Sequence, residues 1–126
     1  MPNQPPDEQQ DFWNAIDVLR SDPEHKVLWG TDRQRIVQWY RVFDQLKADA
    51  FDVIQNRFLS DEVSDDTIID LADAIIAMGQ TAWRKCMAGT FEYPPQELWE
   101  SLPTLDYVFD EIYFDRFGEP IQEEVD

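Results

Sequence analysis

The chain has 126 residues, 27 acidic and 10 basic, so its formal net charge is −17 at neutral pH. This excess of negative charge argues against binding to nucleic acids and anionic lipids, which requires neutralisation of phosphate groups, and favours encounters with basic surfaces. Hydrophobic residues make up 43% of the chain and aromatic residues 13%, which excludes disorder of the whole chain. We therefore expect a folded domain with a basic protein surface as its partner.

Three features of the sequence bear on where the protein resides. The apolar runs are only a few residues long, far short of a membrane span. The first ten residues, MPNQPPDEQQ, lack the pattern of a secretory signal. The single cysteine, Cys86, cannot form an internal disulfide, which fits a reducing compartment. The sequence thus predicts a cytoplasmic protein without membrane contact, and it leaves the oligomeric state open.

In the first half of the chain, hydrophobic residues recur every three or four positions, the spacing typical of amphipathic helices. The elements predicted there are a leader at 1–7, a helix at 8–20, a loop at 21–30 and a helical segment at 31–59. Asp7 and Thr31 are each followed three residues later by glutamine, so they are predicted to cap the two helices. The second segment is longer than most globular helices, which leaves open whether it is one helix or two, with a break near 48–52.

Glycines and prolines separate the helices of the second half. The predicted elements are a helix capped by Ser64 and interrupted at Gly79, a short helix ending at Gly89, a turn after Pro94 and Pro95, and a last helix capped by Thr104 and ending at Gly118. Neither paired strands nor internal repeats are indicated. We predict an all-α fold, a single compact domain of about five or six helices at 8–118, with an acidic tail at 119–126.

Three patterns of residues recur in one known family. In this chain they are Phe12, Trp13 and Ile16; Ser64, Asp65, Asp66, Ile68, Ile75, Ile76, Gly79 and Trp83; and Tyr107, Val108, Tyr113 and Gly118. Together they resemble an uncharacterised bacterial domain of unknown function, common in stand-alone actinobacterial proteins. Because that family has no agreed activity, the resemblance implies a bacterial origin and an all-α fold, and nothing about chemistry.

Three carboxylates of the central helix allow two interpretations. At about 100° per residue, Asp70 and Asp73 lie within about 40° of Asp66 around the helix axis. Such oxygens suit a hard cation, so a metal-assisted hydrolase is one alternative. An amphipathic helix with a solvated face predicts the same stripe without further ligands. We favour the solvated face and expect no metal or other cofactor.

His25 and Cys86 are the remaining candidates for catalysis. His25 lies among charged residues in a predicted loop, which favours a solvent-exposed histidine. Cys86 follows Arg84 and Lys85, which would lower the pKa of an exposed thiol, but its helical position near Trp83 favours a buried, unreactive one. Phosphate-binding glycine loops, nucleophile elbows and paired-cysteine zinc patterns are missing from the sequence. We therefore predict no catalytic residues.

The last predicted helix has two different faces. The side predicted to face the core carries Leu105, Val108, Phe109, Ile112 and Tyr113. Tyr107 and Phe114 fall on the opposite side, and the carboxylates around them are those of Asp106, Asp110, Glu111 and Asp115. An apolar anchor inside a charged rim is typical of a protein-binding surface. Alternatively, the C-terminal tail or the 89–103 connection covers the two rings.

These observations lead to one principal hypothesis and three alternatives. The principal hypothesis is a non-enzymatic, acidic helical interaction module, such as an inhibitor or immunity protein, that docks on a basic partner. Its predicted contact residues are Asp106, Tyr107, Asp110, Glu111, Phe114 and Asp115. The alternatives are a metal-assisted hydrolase that uses Asp66, Asp70 and Asp73, a nucleic-acid mimic, and a dimeric scaffold.

Overall fold

A computed structural model describes residues 6–57, 65–90 and 104–122, with side chains at 8–56, 66–90 and 104–122. Every regular element in these ranges is an α-helix, so the all-α prediction is confirmed. The helices of the described ranges are α1 (Pro6–Ser21), α2 (Lys26–Gly30), α3 (Arg33–Arg57), α4 (Asp65–Met78), α5 (Gln80–Met87) and α6 (Leu105–Phe117). The predicted cap at Ser64 and the predicted turn after Pro94 lie outside the described residues.

Contacts within the chain divide it into two compact units. Unit 1 consists of Met1–Asp44 and Asp106–Asp126, and unit 2 of Gln45–Leu105. Helix α3 contributes to both, and it continues without a break through residues 48–52. Leu46, Ala50 and Ile54 carry one buried face through that stretch, which keeps it helical. The alternative of two helices is therefore wrong.

Aromatic side chains form much of the core of unit 1. The buried ones are Phe12, Trp13, Trp39, Tyr40, Phe43, Phe109 and Tyr113. The ring centroid of Tyr40 lies 5.8 Å from that of Phe43 and 5.9 Å from that of Phe109, in the tilted and edge arrangements that aromatic pairs prefer. Ile121 is also fully buried, so the chain is anchored to this core beyond α6, within the predicted acidic tail.

Unit 2 packs the second half of α3 with α4 and α5. The buried cluster comprises Ala50, Ile54, Ile68, Leu71, Ala72, Ile75 and Cys86. Trp83 is packed against this cluster, and its Nε1 donates to the Leu46 carbonyl at 3.4 Å. Every residue from 71 to 77 is buried. This part of α4 is therefore covered on all sides rather than along one stripe.

The two predicted caps of the first half are wrong. Helix α1 already includes Asp7, so this residue is not its cap, and the predicted leader at 1–7 overlaps the helix. Asp32 rather than Thr31 caps α3, because its Oδ2 accepts the backbone N–H of Arg35, the third residue of the helix, at 3.3 Å. The Thr31 hydroxyl donates instead to the Val27 carbonyl, behind it in α2.

Residues 21–30, predicted to be a loop, contain α2. The Asp22 carboxylate accepts the backbone N–H groups of the residues two and four positions later, at 3.0 and 2.9 Å, and so forms the turn into the helix. His25 lies in this turn with a left-handed φ of 55° and is partly buried rather than fully exposed. At the other end, Arg116 of α6 donates from Nη1 to the Leu28 carbonyl at 2.7 Å. Because Arg116 lies far along the chain, local sequence could not indicate this support for α2.

Glycines end α4 and α5, as predicted. Gly79 separates the two helices with φ 116° and ψ 174°, a conformation that is essentially restricted to glycine. Gly89 follows α5 with φ 76°. Its N–H donates to the Cys86 carbonyl at 3.1 Å, and the N–H of Thr90 donates to the Lys85 carbonyl at 3.0 Å. These bonds satisfy carbonyls that the end of a helix leaves without partners.

Candidate functional site: the outer face of α6

Helix α6 buries one side and exposes two aromatic rings on the other. The side chains predicted to face the core are all buried, namely Leu105, Val108, Phe109, Ile112 and Tyr113. Tyr107 is 65% exposed and Phe114 is 52% exposed, the largest fractions among the large hydrophobic residues of the described ranges. Most of the two segments named as possible covers, residues 91–103 and 123–126, lies outside the described residues. Single exposed apolar residues are common, but two rings on one helical face suggest a contact surface.

Three carboxylates surround the exposed rings. Asp110 and Glu111 lie between Tyr107 and Phe114 along the helix, and Asp115 follows Phe114. Within the described part of the chain, these three side chains have neither a hydrogen bond nor an ion pair. We call the five residues together the α6 outer face. Tyr107 and Phe114 lie seven positions apart, which corresponds to about 10 Å along the helix axis at about 1.5 Å per residue.

Asp106, the sixth predicted contact residue, has an internal role. Its Oδ1 accepts a hydrogen bond from the Tyr40 hydroxyl at 2.7 Å. Burial raises the pKa of Tyr40 well above its usual value, and the hydrogen bond to Asp106 raises it further. Asp106 thus ties the first turn of α6 to α3 and fixes the rotation of α6 about its axis, so we leave it out of the α6 outer face.

The last turn of α6 is held by an arginine from the start of α3. The Nε of Arg33 donates to the Tyr113 hydroxyl and its Nη2 donates to Glu119 Oε2, both at 2.7 Å. Its guanidinium carbon lies 5.6 Å from the ring centroid of Tyr113 and 5.4 Å from that of Phe117, within the range of a cation–π contact. Arg33 therefore contacts a carboxylate and two aromatic rings at the same time.

A second arginine cluster joins α1 to α3. The Nε of Arg35 donates to Asp11 Oδ2 at 3.0 Å, and the Nε1 of Trp39 donates to the same oxygen at 2.8 Å. The guanidinium carbon of Arg35 lies 5.0 Å from the Trp39 ring centroid. The hydrogen bond from Arg35 outweighs partial burial and holds the pKa of Asp11 below its usual value. Sequence reasoning missed both arginine clusters, because each joins residues that are distant in the chain.

A shallow groove of about 600 Å³ lies beside the start of α3. The residues that line it are Glu8, Arg33, Gln34, Val37, Gln38 and Arg41. Its lining is polar and mixed in charge, and Arg33 is already bonded to Glu119 and Tyr113. The groove therefore lacks the apolar, convergent lining typical of a small-molecule site.

The three carboxylates of the predicted acidic stripe on α4 differ in their exposure to solvent. Asp66 and Asp70 are exposed, as a solvated face requires, but Asp73 is only 3% exposed, so that prediction is wrong for Asp73. The Oδ1 of Asp73 accepts the backbone N–H of Leu105, the first residue of α6, at 2.8 Å.

Elsewhere, Cys86 is fully buried, as predicted. Among the described residues, no three His, Cys, Asp or Glu side chains are grouped so that they could hold a metal ion.

The fold and the site define an acidic, all-α chain with an aromatic and acidic surface on its last helix. No helix within the described ranges has both the length and the apolar character needed to cross a membrane. Comparisons with protein-family models, with curated proteins and with solved structures find no match. The resemblance to the actinobacterial domain of unknown function therefore stays a prediction.

Proposed function

We propose that this protein is a non-enzymatic interaction module whose α6 outer face binds a basic partner protein. The observation that carries the proposal is the exposure of Tyr107 and Phe114 beside carboxylates that have no partner in the described part of the chain. Aromatic rings supply most of the contact energy in many protein interfaces, and a polar rim supplies orientation.

The charge of the chain supports a basic partner. Residues 64–126 carry 15 acids and 3 bases, against 12 acids and 7 bases in residues 1–63. A surface with this excess attracts cationic proteins and speeds their encounter at low ionic strength. The partner would approach with lysines and arginines that are otherwise free to bind phosphate groups. The module would then act as an inhibitor or immunity protein that covers a phosphate-binding surface in the cytoplasm.

The test compares three forms of the protein as baits in lysate of the cells that produce it, at low salt. The baits are the wild type, the double variant Tyr107→Ser/Phe114→Ser and a control, Asp66→Asn/Asp70→Asn, whose changes lie on the exposed side of α4. We expect a basic protein to be retained by the wild type and the control and lost from the double variant. The purified pair should then bind with an affinity that falls as salt rises. Equal retention by all three baits, or retention of nothing basic, would refute the proposal.

A further inference from the structure

We infer that the α6 outer face is an arginine-binding surface, with two exposed rings that each accept a guanidinium group together with the adjacent carboxylates. The inference rests on the proposed function and makes it more specific. Its partner is a protein segment that carries two arginines, spaced to reach both rings at once. The arginines of the chain itself show which groups bind a guanidinium in this protein.

Within unit 1, two arginines are held by the same combination of groups. Arg33 bonds to the Glu119 carboxylate while its guanidinium lies over two rings, at 5.4 and 5.6 Å. Arg35 bonds to the Asp11 carboxylate while its guanidinium lies over Trp39 at 5.0 Å. In each case a carboxylate accepts a guanidinium N–H, and the guanidinium carbon lies within cation–π range of at least one aromatic ring.

The α6 outer face carries the same two groups without a guanidinium. On a helix, residues three or four positions apart are neighbours on the surface, so Asp110 and Glu111 flank both Tyr107 and Phe114. Both rings are more than half exposed, and neither has a ring contact or hydrogen bond with another described residue. Each ring and its neighbouring carboxylates therefore match the acceptors that hold Arg33 and Arg35.

The geometry of this acceptor favours arginine over lysine. A guanidinium is planar and weakly hydrated, so it can stack on a ring while its N–H groups bond to a carboxylate. An ammonium group is compact and strongly hydrated, and it makes the two contacts together less readily. Charge attraction alone would not distinguish the two residues. Selectivity for arginine therefore separates this inference from general binding of basic proteins.

The spacing of the rings sets the spacing of the arginines. Tyr107 and Phe114 are separated by two helical turns, about 10 Å along the axis. A partner helix packed alongside α6 would match this distance with arginines seven residues apart. We therefore choose, as a probe, a helical peptide of about 20 residues with two arginines at that spacing. Its twin carries lysines at the same positions and so has the same charge.

The experiment titrates each peptide into the full chain and follows the ring resonances of Tyr107 and Phe114 by NMR at fixed low salt. The arginine peptide should shift both sets of resonances, and the lysine peptide should bind about fivefold more weakly. In the variant Tyr107→Leu/Phe114→Leu, which keeps an apolar surface, the two peptides should bind equally. Trp29→Leu, which alters an exposed aromatic residue of α2, serves as a matched control and should keep the selectivity.

Each other outcome has a defined meaning. Equal affinity for the two peptides in the wild type, with binding lost in Asp110→Asn/Glu111→Gln, would overturn the arginine inference and leave the proposed function standing. The same applies if selectivity for arginine persists in the double leucine variant. Binding that ignores every change on α6 would overturn both the inference and the proposed docking face. If neither peptide bound, the inference would also fail. The circular dichroism of each variant must match that of the wild type, which the exposure of the changed residues leads us to expect.

Discussion

Substituting Asp73 by alanine should destabilise the protein, although sequence patterning placed this residue on a solvated face. In the structure Asp73 is 3% exposed and its Oδ1 accepts the backbone N–H of Leu105 at 2.8 Å. Alanine would remove that acceptor and leave a buried N–H group unsatisfied. Losses of this kind cost about 1–3 kcal/mol, and losses of helix caps about 1 kcal/mol. We expect the free energy of unfolding to fall by about 2 kcal/mol, which corresponds to a Tm lower by roughly 8 °C.

Urea denaturation followed by circular dichroism measures this loss, and two further variants test its cause. Asp70→Ala removes the same charge from an exposed position one turn away, and should change stability by no more than about 0.5 kcal/mol. Asp73→Asn keeps an oxygen that can accept the Leu105 N–H, and should lose less than Asp73→Ala. If Asp73→Ala is no more damaging than Asp70→Ala, the hydrogen bond does not contribute to stability and the reasoning is wrong.

Three further predictions concern pH and backbone conformation. The pKa of Tyr40 is higher in the folded protein than in the unfolded chain, so the unfolded chain loses the hydroxyl proton at a lower pH than the folded protein does. The free energy of unfolding should therefore fall as pH rises above about 10. Tyr40→Phe should make the urea stability less dependent on pH in that range. The pKa of Asp11 is lowered, so its contribution is present above about pH 3.8 and lost as pH falls below it; Asp11→Asn should remove that part of the acid sensitivity, as acid titration of the circular dichroism can show. Gly79→Ala should lower the free energy of unfolding by about 1–3 kcal/mol, since alanine is strained at φ 116°. Gly30→Ala is the matched control, because a Cβ at Gly30 meets open space and the residue has a negative φ. This change should leave the free energy of unfolding unchanged or raise it slightly. Equal losses of stability in the two variants would contradict the role of the positive φ.

The predictions that succeeded rest on interactions between near neighbours in the chain. The periodicity of α6 placed five side chains in the core and two rings outside it, because a helix repeats its faces every 3.6 residues. Gly79 and Gly89 are predictable as helix ends because glycine, which has no Cβ, adopts a positive φ without strain. Such signals need no knowledge of the tertiary fold.

The predictions that failed depend on partners far away in the sequence. The angular position of Asp73 suggested solvent, yet the Leu105 N–H that it accepts lies 32 residues later. Helix α2 is supported by Arg116, which lies 88 residues after the carbonyl to which it donates. Arg33 and Arg35 received no predicted role, since their carboxylate partners Glu119 and Asp11 lie 86 and 24 residues away in the chain. Only packing brings these groups together.

The seven buried residues at 71–77 have a consequence for motion as well as for stability. A helix that is covered on all sides cannot expose its backbone by fraying one face, so its amide protons meet water only when unit 2 opens as a whole. In a hydrogen-exchange experiment these amides should be the slowest of unit 2, and their rate should report its cooperative opening. The carboxylate of Asp73 lies in the middle of this segment, so a buried polar residue lies where exchange should report the opening of the whole unit.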